Sequence, residues 1–471
     1  MAQQIGAHRR GRRLAPFVTL PRRSMSGSKF PPGPSGRIWA TSLFTVRKGP
    51  LHFFPEQVRR YGNISRAIVG TQTVWILNDP DYIHDVLVAN AAKFAKGRAL
   101  ERAKIFLGES LLTSEGDIHR RQRRLVQPSF HRSRLRSYAE TMTALAQRTR
   151  DQWNDGAIVD IAEEMNRLTL AIVGRTLFST NVEAEAKTIG EALTVMMSGF
   201  NRLMLPFAPL LLRLPFPASR RIRKAHRTLD ETIYRLIRDR RASGQDAGDL
   251  LSTLVFTEDA DHPGERLSDE EIRDQAMTLF LAGHETTANA LAWTWSLLAQ
   301  SPNVDAKLAA ELSSVLKGRP PTLEDIRQLP YVEKVAREGM RLYPPAWLVG
   351  RRAREDHEIG GYMIEAGNLV VASQWVMHRD ARYYPDPTTF DPDRWTEPFT
   401  EALPKFAYFP FGGGPRICIG ESFAWMELSL VIATLAQHWR FHVVPGFTPE
   451  PLPRITLRSK NGIKLRLERR M

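Results

Sequence analysis

The chain has 471 residues, of which 42% are hydrophobic, and its 66 lysine and arginine residues outnumber 51 aspartate and glutamate residues, giving a formal net charge of +15. This composition is that of a globular protein with a sizeable core, and the single cysteine excludes an intramolecular disulfide framework. The fold therefore does not depend on an oxidising compartment, and the basic balance favours acidic partners, such as an acidic protein, an anionic lipid surface or nucleic acid.

The N-terminal residues 1–29 contain several arginines and no aspartate or glutamate, which predicts a disordered basic leader. An organellar transit peptide has the same composition, so we expect a cytoplasmic protein, with an organellar matrix as the alternative. The segment Phe30–Pro34 marks the start of the folded body, and one domain is predicted over residues 30–471. Apolar runs stay shorter than a membrane span, so at most peripheral membrane contact is expected.

Next in the chain, the pattern predicts a hairpin of two short strands, Ile64–Val69 and Thr73–Leu77. A mostly helical region follows from about residue 80 to residue 345. Strand patterns then return at Arg351–Arg354, Tyr362–Ile364 and Leu369–Ala372, and a last hairpin is predicted at Ile455–Leu467 around Asn461 and Gly462. The predicted fold class is mostly α with small peripheral β-sheets (α+β), without an internal linker.

One long helix dominates the pattern, from a capping box at Ser268 and Glu271 to a break at Ser301 and Pro302. Its length is roughly 48 Å at 1.5 Å per residue. The centre reads Leu-Ala-Gly-His-Glu-Thr-Thr over residues 281–287, and polar groups in the middle of an apolar helix are costly to bury. A threonine there can also simply bond back to a preceding carbonyl, so the stretch alone leaves a structural and a functional interpretation open.

The most specific signal is the segment Phe411–Gly420, which reads Phe-Gly-Gly-Gly-Pro-Arg-Ile-Cys-Ile-Gly and precedes a predicted helix over Glu421–His438. A lone cysteine is usually an inert buried side chain. Here three consecutive glycines suit a backbone that turns tightly against a flat ligand. Arg416 lies two residues from Cys418, and the following helix directs its first amides towards the sulfur. Both features are expected to favour the thiolate.

This decapeptide matches the Phe-x-x-Gly-x-Arg-x-Cys-x-Gly haem-ligand loop of the cytochrome P450 superfamily, which the chain resembles from about residue 50 onward. The resemblance implies the cytochrome P450 fold, with the long central helix over a haem b (iron protoporphyrin IX). It implies Cys418 as the axial ligand of the iron. Further haem-binding residues implied in the loop are Phe411, Gly412, Gly414, Arg416 and Gly420.

Two further segments resemble the family in the expected order. Glu338 and Arg341 match its Glu-x-x-Arg helix, and Arg394 matches the later arginine that completes a structural triad, although Asp393 stands where many members carry glutamate. The two side chains of the helix lie on one face and can pair. The resemblance therefore implies that this triad braces the segment leading into the cysteine loop.

Haem propionates need cationic or hydrogen-bonding partners when they are partly buried. Besides Arg416, the resemblance implies His119 and Arg123, which lie one helical turn apart, with Arg124 as an alternative to Arg123. It also implies Arg351, with Arg352 as its alternative.

The central helix resembles the oxygen-activation motif of the family, which implies that Thr286 and Glu285 deliver protons during dioxygen activation, while His284 has no chemical role. The implied activity is a monooxygenase that inserts one oxygen atom from O2 into a hydrophobic small molecule such as a fatty acid or terpenoid. Residues 196–214 fall at the substrate-access segment of the family. An apolar pocket is expected around Leu281, Ala282, Ala346, Trp347 and Leu348.

Electrons from NAD(P)H are expected to arrive through separate redox proteins, with an acidic ferredoxin or flavodoxin-type partner on a basic face of a monomer. Nucleic-acid binding is not expected, because no recognition motif accompanies the basic residues. The alternatives are a family member that performs peroxide-driven oxidation, isomerisation or dehydration, a haem-binding sensor or carrier, and a basic module that binds nucleic acid or a membrane surface.

Overall fold

The structure is a computed structural model that describes residues 30–34, 49–70, 72–179, 183–200, 214, 216–259 and 263–470. The predicted leader, residues 1–29, lies outside the described residues, as does most of the predicted access segment. The start predicted for the folded body is described: the Phe30 ring lies 4.1 Å from the Arg66 guanidinium, and Pro32 O accepts a hydrogen bond from Arg66 N.

Helices and short strands alternate along the chain. The helices are α1 Pro50–Tyr61, α2 Pro80–His84, α3 Arg98–Leu107, α4 Gly116–Val126, α5 Arg132–Asp151, α6 Ile161–Phe178, α7 Glu183–Phe200, α8 Pro217–Ser243, α9 Leu250–Phe256, α10 Asp269–Ala299, α11 Pro302–Leu316, α12 Pro330–Leu342, α13 Gln374–Met377, α14 Glu397–Ala402 and α15 Glu421–Ala436. The strands are β1 Ile64–Val69, β2 Gln72–Leu77, β3 Phe94–Lys96, β4 Ile158–Asp160, β5 Val349–Ala353, β6 His357–Ile359, β7 Tyr362–Ile364, β8 Leu369–Ala372, β9 Trp439–Val443, β10 Pro451–Pro453, β11 Leu457–Ser459 and β12 Lys464–Arg469.

The predicted fold class is confirmed: helices form the body and the sheets are small. The largest sheet has five strands in the order β1-β2-β8-β5-β3, and its β1–β2 hairpin is antiparallel as predicted. The pairing of β3 with β5 is antiparallel and sets Lys96 opposite Arg351. This sheet therefore brings together two basic residues that are about 250 positions apart in the sequence.

The predicted C-terminal hairpin is wrong. β11 pairs with β10, whereas β12 pairs with β4 and β9. Gly462 does form a turn, with φ 76°. However, Ile463 N donates to Asp160 Oδ1 at 3.0 Å, and this contact draws the chain towards β4. Asp160, which is distant in the sequence, therefore favours the pairing of β12 with β4 over the hairpin that the local turn signal predicted.

Helix α10 is the long helix predicted from the sequence, and its capping box is present: Glu271 N donates to Ser268 Oγ and Ser268 N donates to the Glu271 carboxylate. Both halves of the helix are buried in the main apolar core, where it packs on α6 and α12. Among the described residues, no helix is long and apolar enough to cross a membrane.

We expect Ser268→Ala to lower the free energy of unfolding by about 1 kcal/mol, because it removes the hydroxyl that accepts the Glu271 amide. Ser301→Ala is the matched control, since Ser301 caps α11 without a side-chain hydrogen bond. Denaturant unfolding of both variants measures the difference. Equal losses would show that the capping box contributes nothing.

Candidate active site

The cysteine loop joins a tight bend to the start of α15. Cys418 N donates to Phe411 O at 3.0 Å, which closes the loop, and the Phe411 ring packs 5.7 Å from that of Trp425. The Cys418 side chain is exposed to solvent. Gly420 is the N-cap residue of α15. The fold therefore presents one reachable sulfur at the point where the bend becomes a helix.

The loop glycines serve the packing of the bend. Gly412 and Gly414 have φ values of 75° and 68°, a region that favours glycine. A Cβ at Gly414 would lie 1.8 Å from Leu87 O, and one at Gly413 would lie 2.6 Å from the Phe406 ring. Two of the three glycines are thus required by contacts with the protein itself.

The protein groups around Cys418 act on its thiolate in opposite directions. Burial raises the pKa of the Cys418 thiol to about 11, and the Gly420 amide and Arg123 lower it by less. Arg416 is turned elsewhere: its guanidinium donates to Ser114 O at 2.8 Å and to Glu115 Oε2 at 2.5 Å. Solvent reaches the sulfur, but the surrounding protein atoms disfavour its charged form.

Basic residues from separate elements converge near the cysteine loop. Burial, together with repulsion from Arg416, lowers the pKa of Lys96 to about 6 and that of Arg351 to about 10. Burial and the same repulsion lower the pKa of His119 to about 3, so this imidazole is neutral near pH 7. These basic residues, Lys96, His119, Arg351 and Arg416, are called the cationic cluster, and the cations among them disfavour protonation of their neighbours.

The structure separates both pairs of alternative arginines. Arg123 donates to Ile417 O at 2.8 Å, next to the cysteine, whereas Arg124 lies 3.5 Å from Asp259 and is half exposed. Arg351 belongs to the cationic cluster, whereas Arg352 forms an ion pair with Glu101. Adjacent residues point in different directions here, which a sequence pattern alone does not resolve.

The centre of α10 is accessible although both halves of the helix are buried. Ala282 is exposed and Thr286 is half-buried, and Thr286 Oγ1 donates to Ala282 O at 2.7 Å. Glu285 is 1% exposed and accepts hydrogen bonds from Arg458 and Thr456. His284 is buried.

Glu338, Arg341 and Arg394 form a fully buried ion cluster, the arrangement that the sequence predicted. Glu338 accepts from Arg341 at 2.8 Å and from Arg394 at 2.9 Å. Arg341 also donates to His378 O and Pro387 O, both at 2.7 Å. Asp393 pairs with exposed Lys307, so the departure from glutamate leaves the cluster intact.

Comparison with known proteins decides the family. The family model described as cytochrome P450 matches residues 31–466. The chain belongs to the cytochrome P450 family.

Relatives extend this assignment to the activity. The chain is 38% identical to cyclooctatin synthase of Streptomyces melanosporofaciens, covering 90% of this chain and 92% of that protein. It is 36% identical to pentalenene oxygenase of Streptomyces avermitilis, covering 90% and 94%. A crystal structure of the cytochrome P450DA heme domain aligns with a TM-score of 0.85 at 27% identity, covering 94% of this chain and 98% of that chain. The chain is a cytochrome P450 monooxygenase, and the family uses haem and O2.

The residues present fit a haem. Its iron needs a reachable thiol, and Cys418 supplies one, while metal coordination itself drives the deprotonation that burial opposes. Its two carboxylates need cations, and the cationic cluster holds basic groups whose mutual repulsion an anion would relieve. A haem also needs one face open to O2 and substrate, and the small side chains at the accessible centre of α10 leave room for such a face.

The predicted pocket residues divide into two groups. Four remain accessible or half-buried: Leu281, Ala282, Ala346 and Leu348. Trp347 instead packs 6.2 Å from Phe54 in a separate apolar cluster, and its indole donates to Arg454 O at 2.8 Å. Half-buried Leu348 also packs against this cluster.

Sequence reasoning missed four residues at this site: Lys96, Glu115, Thr456 and Arg458. Lys96 donates from Nζ to Leu111 O at 2.8 Å as well as joining the cationic cluster. Lys96 and Arg458 lie on strands that pair with other segments, whereas Glu115 is the N-cap residue of α4, directly before the segment that resembles the family. No local signal could have distinguished them from ordinary polar residues.

We expect Glu338→Ala to cost about 3–5 kcal/mol of unfolding free energy, because it leaves two buried arginines without their carboxylate. Glu333→Ala, on the same helix, removes an exposed pair with Arg337 and should cost less than about 1 kcal/mol. Thermal unfolding of the haem-loaded variants checks both values. A comparable loss in the two variants would contradict a bracing role for the triad.

Proposed function

We propose that this cytochrome P450 binds haem b through the Cys418 thiolate and inserts one oxygen atom from O2 into an apolar small molecule. The supporting observation is the combination of one reachable sulfur, a cationic cluster beside its loop and an accessible centre in the buried helix α10. When bound, the haem supplies the redox chemistry that splits dioxygen, and thiolate ligation favours that cleavage.

The cationic cluster is proposed to hold the two haem propionates. Arg351 and Arg416 supply positive charge, and propionates would favour protonation of Lys96, whose pKa burial and Arg416 lower to about 6. Neutral His119 contributes an N–H donor and adds no charge. Arg123 supports the cysteine loop through Ile417 O, next to the ligand.

Thr286 is proposed to present its hydroxyl oxygen as a hydrogen-bond acceptor at the accessible centre of α10. Its hydroxyl proton is already donated to Ala282 O, so its lone pairs accept a hydrogen bond from the open side. A water bound there is positioned to pass a proton onward. The Thr286 hydroxyl thereby fixes the position of the water that supplies the proton.

Glu285 is proposed to relay protons from solvent to that water. Arg458 and Thr456 hold its Oε1, whereas Oε2 has no hydrogen-bond partner among the side chains that the structure describes. Arg458 is 29% exposed and so links the buried carboxylate to solvent. Rotation about the Glu285 side chain would carry the free Oε2 towards Thr286.

The substrate is proposed to be an apolar terpenoid or a similar lipid. The accessible pocket residues are alanines and leucines, which offer apolar contact without polar selection. Relatives carry the names cyclooctat-9-en-7-ol 5-monooxygenase and pentalenene oxygenase, at 37% and 36% identity, and both names denote unsaturated cyclic skeletons. Together these observations favour a compact cyclic skeleton over a linear fatty acid.

Electrons are proposed to come from NAD(P)H through a separate acidic ferredoxin or flavodoxin-type protein, which the formal charge of +15 would attract. The cytoplasmic location, the monomeric state and the single domain over residues 30–471 stay predictions.

Replacing the proposed ligand tests the proposal. Cys418→Ser should abolish the strongly red-shifted Soret band of the reduced, carbon-monoxide-bound protein, because an alcohol does not supply a thiolate. Ser422→Ala, at an exposed position four residues along, should keep it. An absorption spectrum of each variant gives the answer. A red-shifted band in Cys418→Ser, or its absence from the unmodified protein, would refute thiolate ligation.

Thr286→Ala should keep that band but reduce the fraction of electrons recovered in product on the order of tenfold or more, since an acid–base group contributes ~10²–10⁴-fold. Thr294→Ala is the matched control, because Thr294 makes the same 2.7 Å bond to a carbonyl four residues earlier on α10. Product, peroxide and NAD(P)H consumption measure the coupling. Unchanged coupling in Thr286→Ala would exclude the proposed role.

A further inference from the structure

Glu115 occupies an unusual position at the start of α4. It is the N-cap residue of that helix, yet its side chain makes no capping hydrogen bond to the helix amides. A carboxylate at an N-cap ordinarily accepts from the second or third amide of the helix. Here the carboxylate is turned away from the helix, which requires stronger contacts elsewhere.

Those contacts come from three separate elements. Oε1 accepts the backbone N–H of Lys96 in β3 at 2.7 Å. Oε2 accepts from Arg416 of the cysteine loop at 2.5 Å and from Arg354, just after β5, at 3.0 Å. An isolated surface ion pair joins two side chains, whereas this carboxylate joins three segments that all border the cationic cluster.

The Arg416 guanidinium is fixed from two sides. One nitrogen donates to Glu115 and the other donates to Ser114 O at 2.8 Å. Both acceptors belong to consecutive residues, so the start of α4 sets the direction of this arginine. Its side chain is only 16% exposed, which leaves few alternative orientations.

Glu115 also opposes the repulsion within the cationic cluster. Its negative charge counteracts the lowering of the pKa of Lys96, Arg351 and Arg416 that burial and the neighbouring cations cause. A fixed anion among these cations reduces the positive potential that they project into the site.

We propose that Glu115 is a positioning residue for haem binding with two separable effects: its geometry fixes Arg416 towards the propionates, and its charge tunes the reduction potential of the iron. This inference rests on the haem-binding function proposed above. Reduction of ferric iron adds one negative charge, which a nearby carboxylate disfavours. The permanent charge of Glu115 therefore holds the potential below the value that the cations alone would give.

Two substitutions separate charge from geometry. Glu115→Gln keeps the length and one acceptor oxygen, which can stay on Arg416, but it gives up the contact with the Lys96 amide and removes the charge. The ferric–ferrous equilibrium should therefore shift towards ferrous by about threefold, equivalent to about 28 mV at 59 mV per tenfold change. Haem retention should stay near that of the unmodified protein. Glu115→Asp keeps the charge but falls short of Arg416, so haem should transfer to excess apomyoglobin about threefold faster, with little change in potential.

Glu101→Gln is the matched control. Glu101 also pairs with an arginine, Arg352 of β5. The exposed fraction of its side chain is similar, 40% against 30% for Glu115. It makes no contact with the cationic cluster among those described, so its potential and its haem transfer should match the unmodified protein. Redox titration of the purified haem protein supplies the potential.

The outcomes distinguish this inference from the proposed function. A red-shifted carbon-monoxide band in all variants, with the potential of Glu115→Gln unmoved or moved no further than that of Glu101→Gln, overturns the tuning by charge. Haem transfer from Glu115→Asp at the unmodified rate overturns the positioning. An unmodified protein that takes up no haem overturns the inference and the proposed function together.

Discussion

Positive charge gathered inside a protein raises its free energy unless an anion meets it, and this constraint governs the region around Cys418. The pairing of β3 with β5 sets Lys96 opposite Arg351, and the cysteine loop adds Arg416. Burial and mutual repulsion lower the pKa of each. A fold that bound nothing here would gain from replacing these residues, whereas a fold that binds a dianionic cofactor needs them.

The triad of Glu338, Arg341 and Arg394 solves the same electrostatic problem in the opposite way. Its carboxylate accepts from both arginines, and the remaining guanidinium groups donate to main-chain carbonyls, so the charges are satisfied within the protein. A closed network of this kind leaves no charge available for an external anion. The cationic cluster is open, with more positive than negative charge, and an open cluster is the one suited to binding.

Local patterns predicted what local physics decides. The capping box of α10, the β1–β2 hairpin and the strands Tyr362–Ile364 and Leu369–Ala372 depend on neighbouring residues, and all are present. The C-terminal hairpin was wrong because Asp160, some 300 residues earlier, captures the chain after Gly462. Glu115 and Arg458 were missed because their partners come from distant segments. Arg123 and Arg124 are adjacent in the sequence, but their side chains point in different directions and contact different partners.

Strand β11 makes the C-terminal residues part of the interior. Leu457 O accepts the indole N–H of Trp293, and Thr456 and Arg458 hold Glu285, so both contacts fasten α10 to a segment near the end of the polypeptide. Thr456 and Arg458 follow Glu285 by 171 and 173 residues in the chain. During synthesis α10 is therefore available to fold well before either partner exists. The order of synthesis thus delays the completion of this centre.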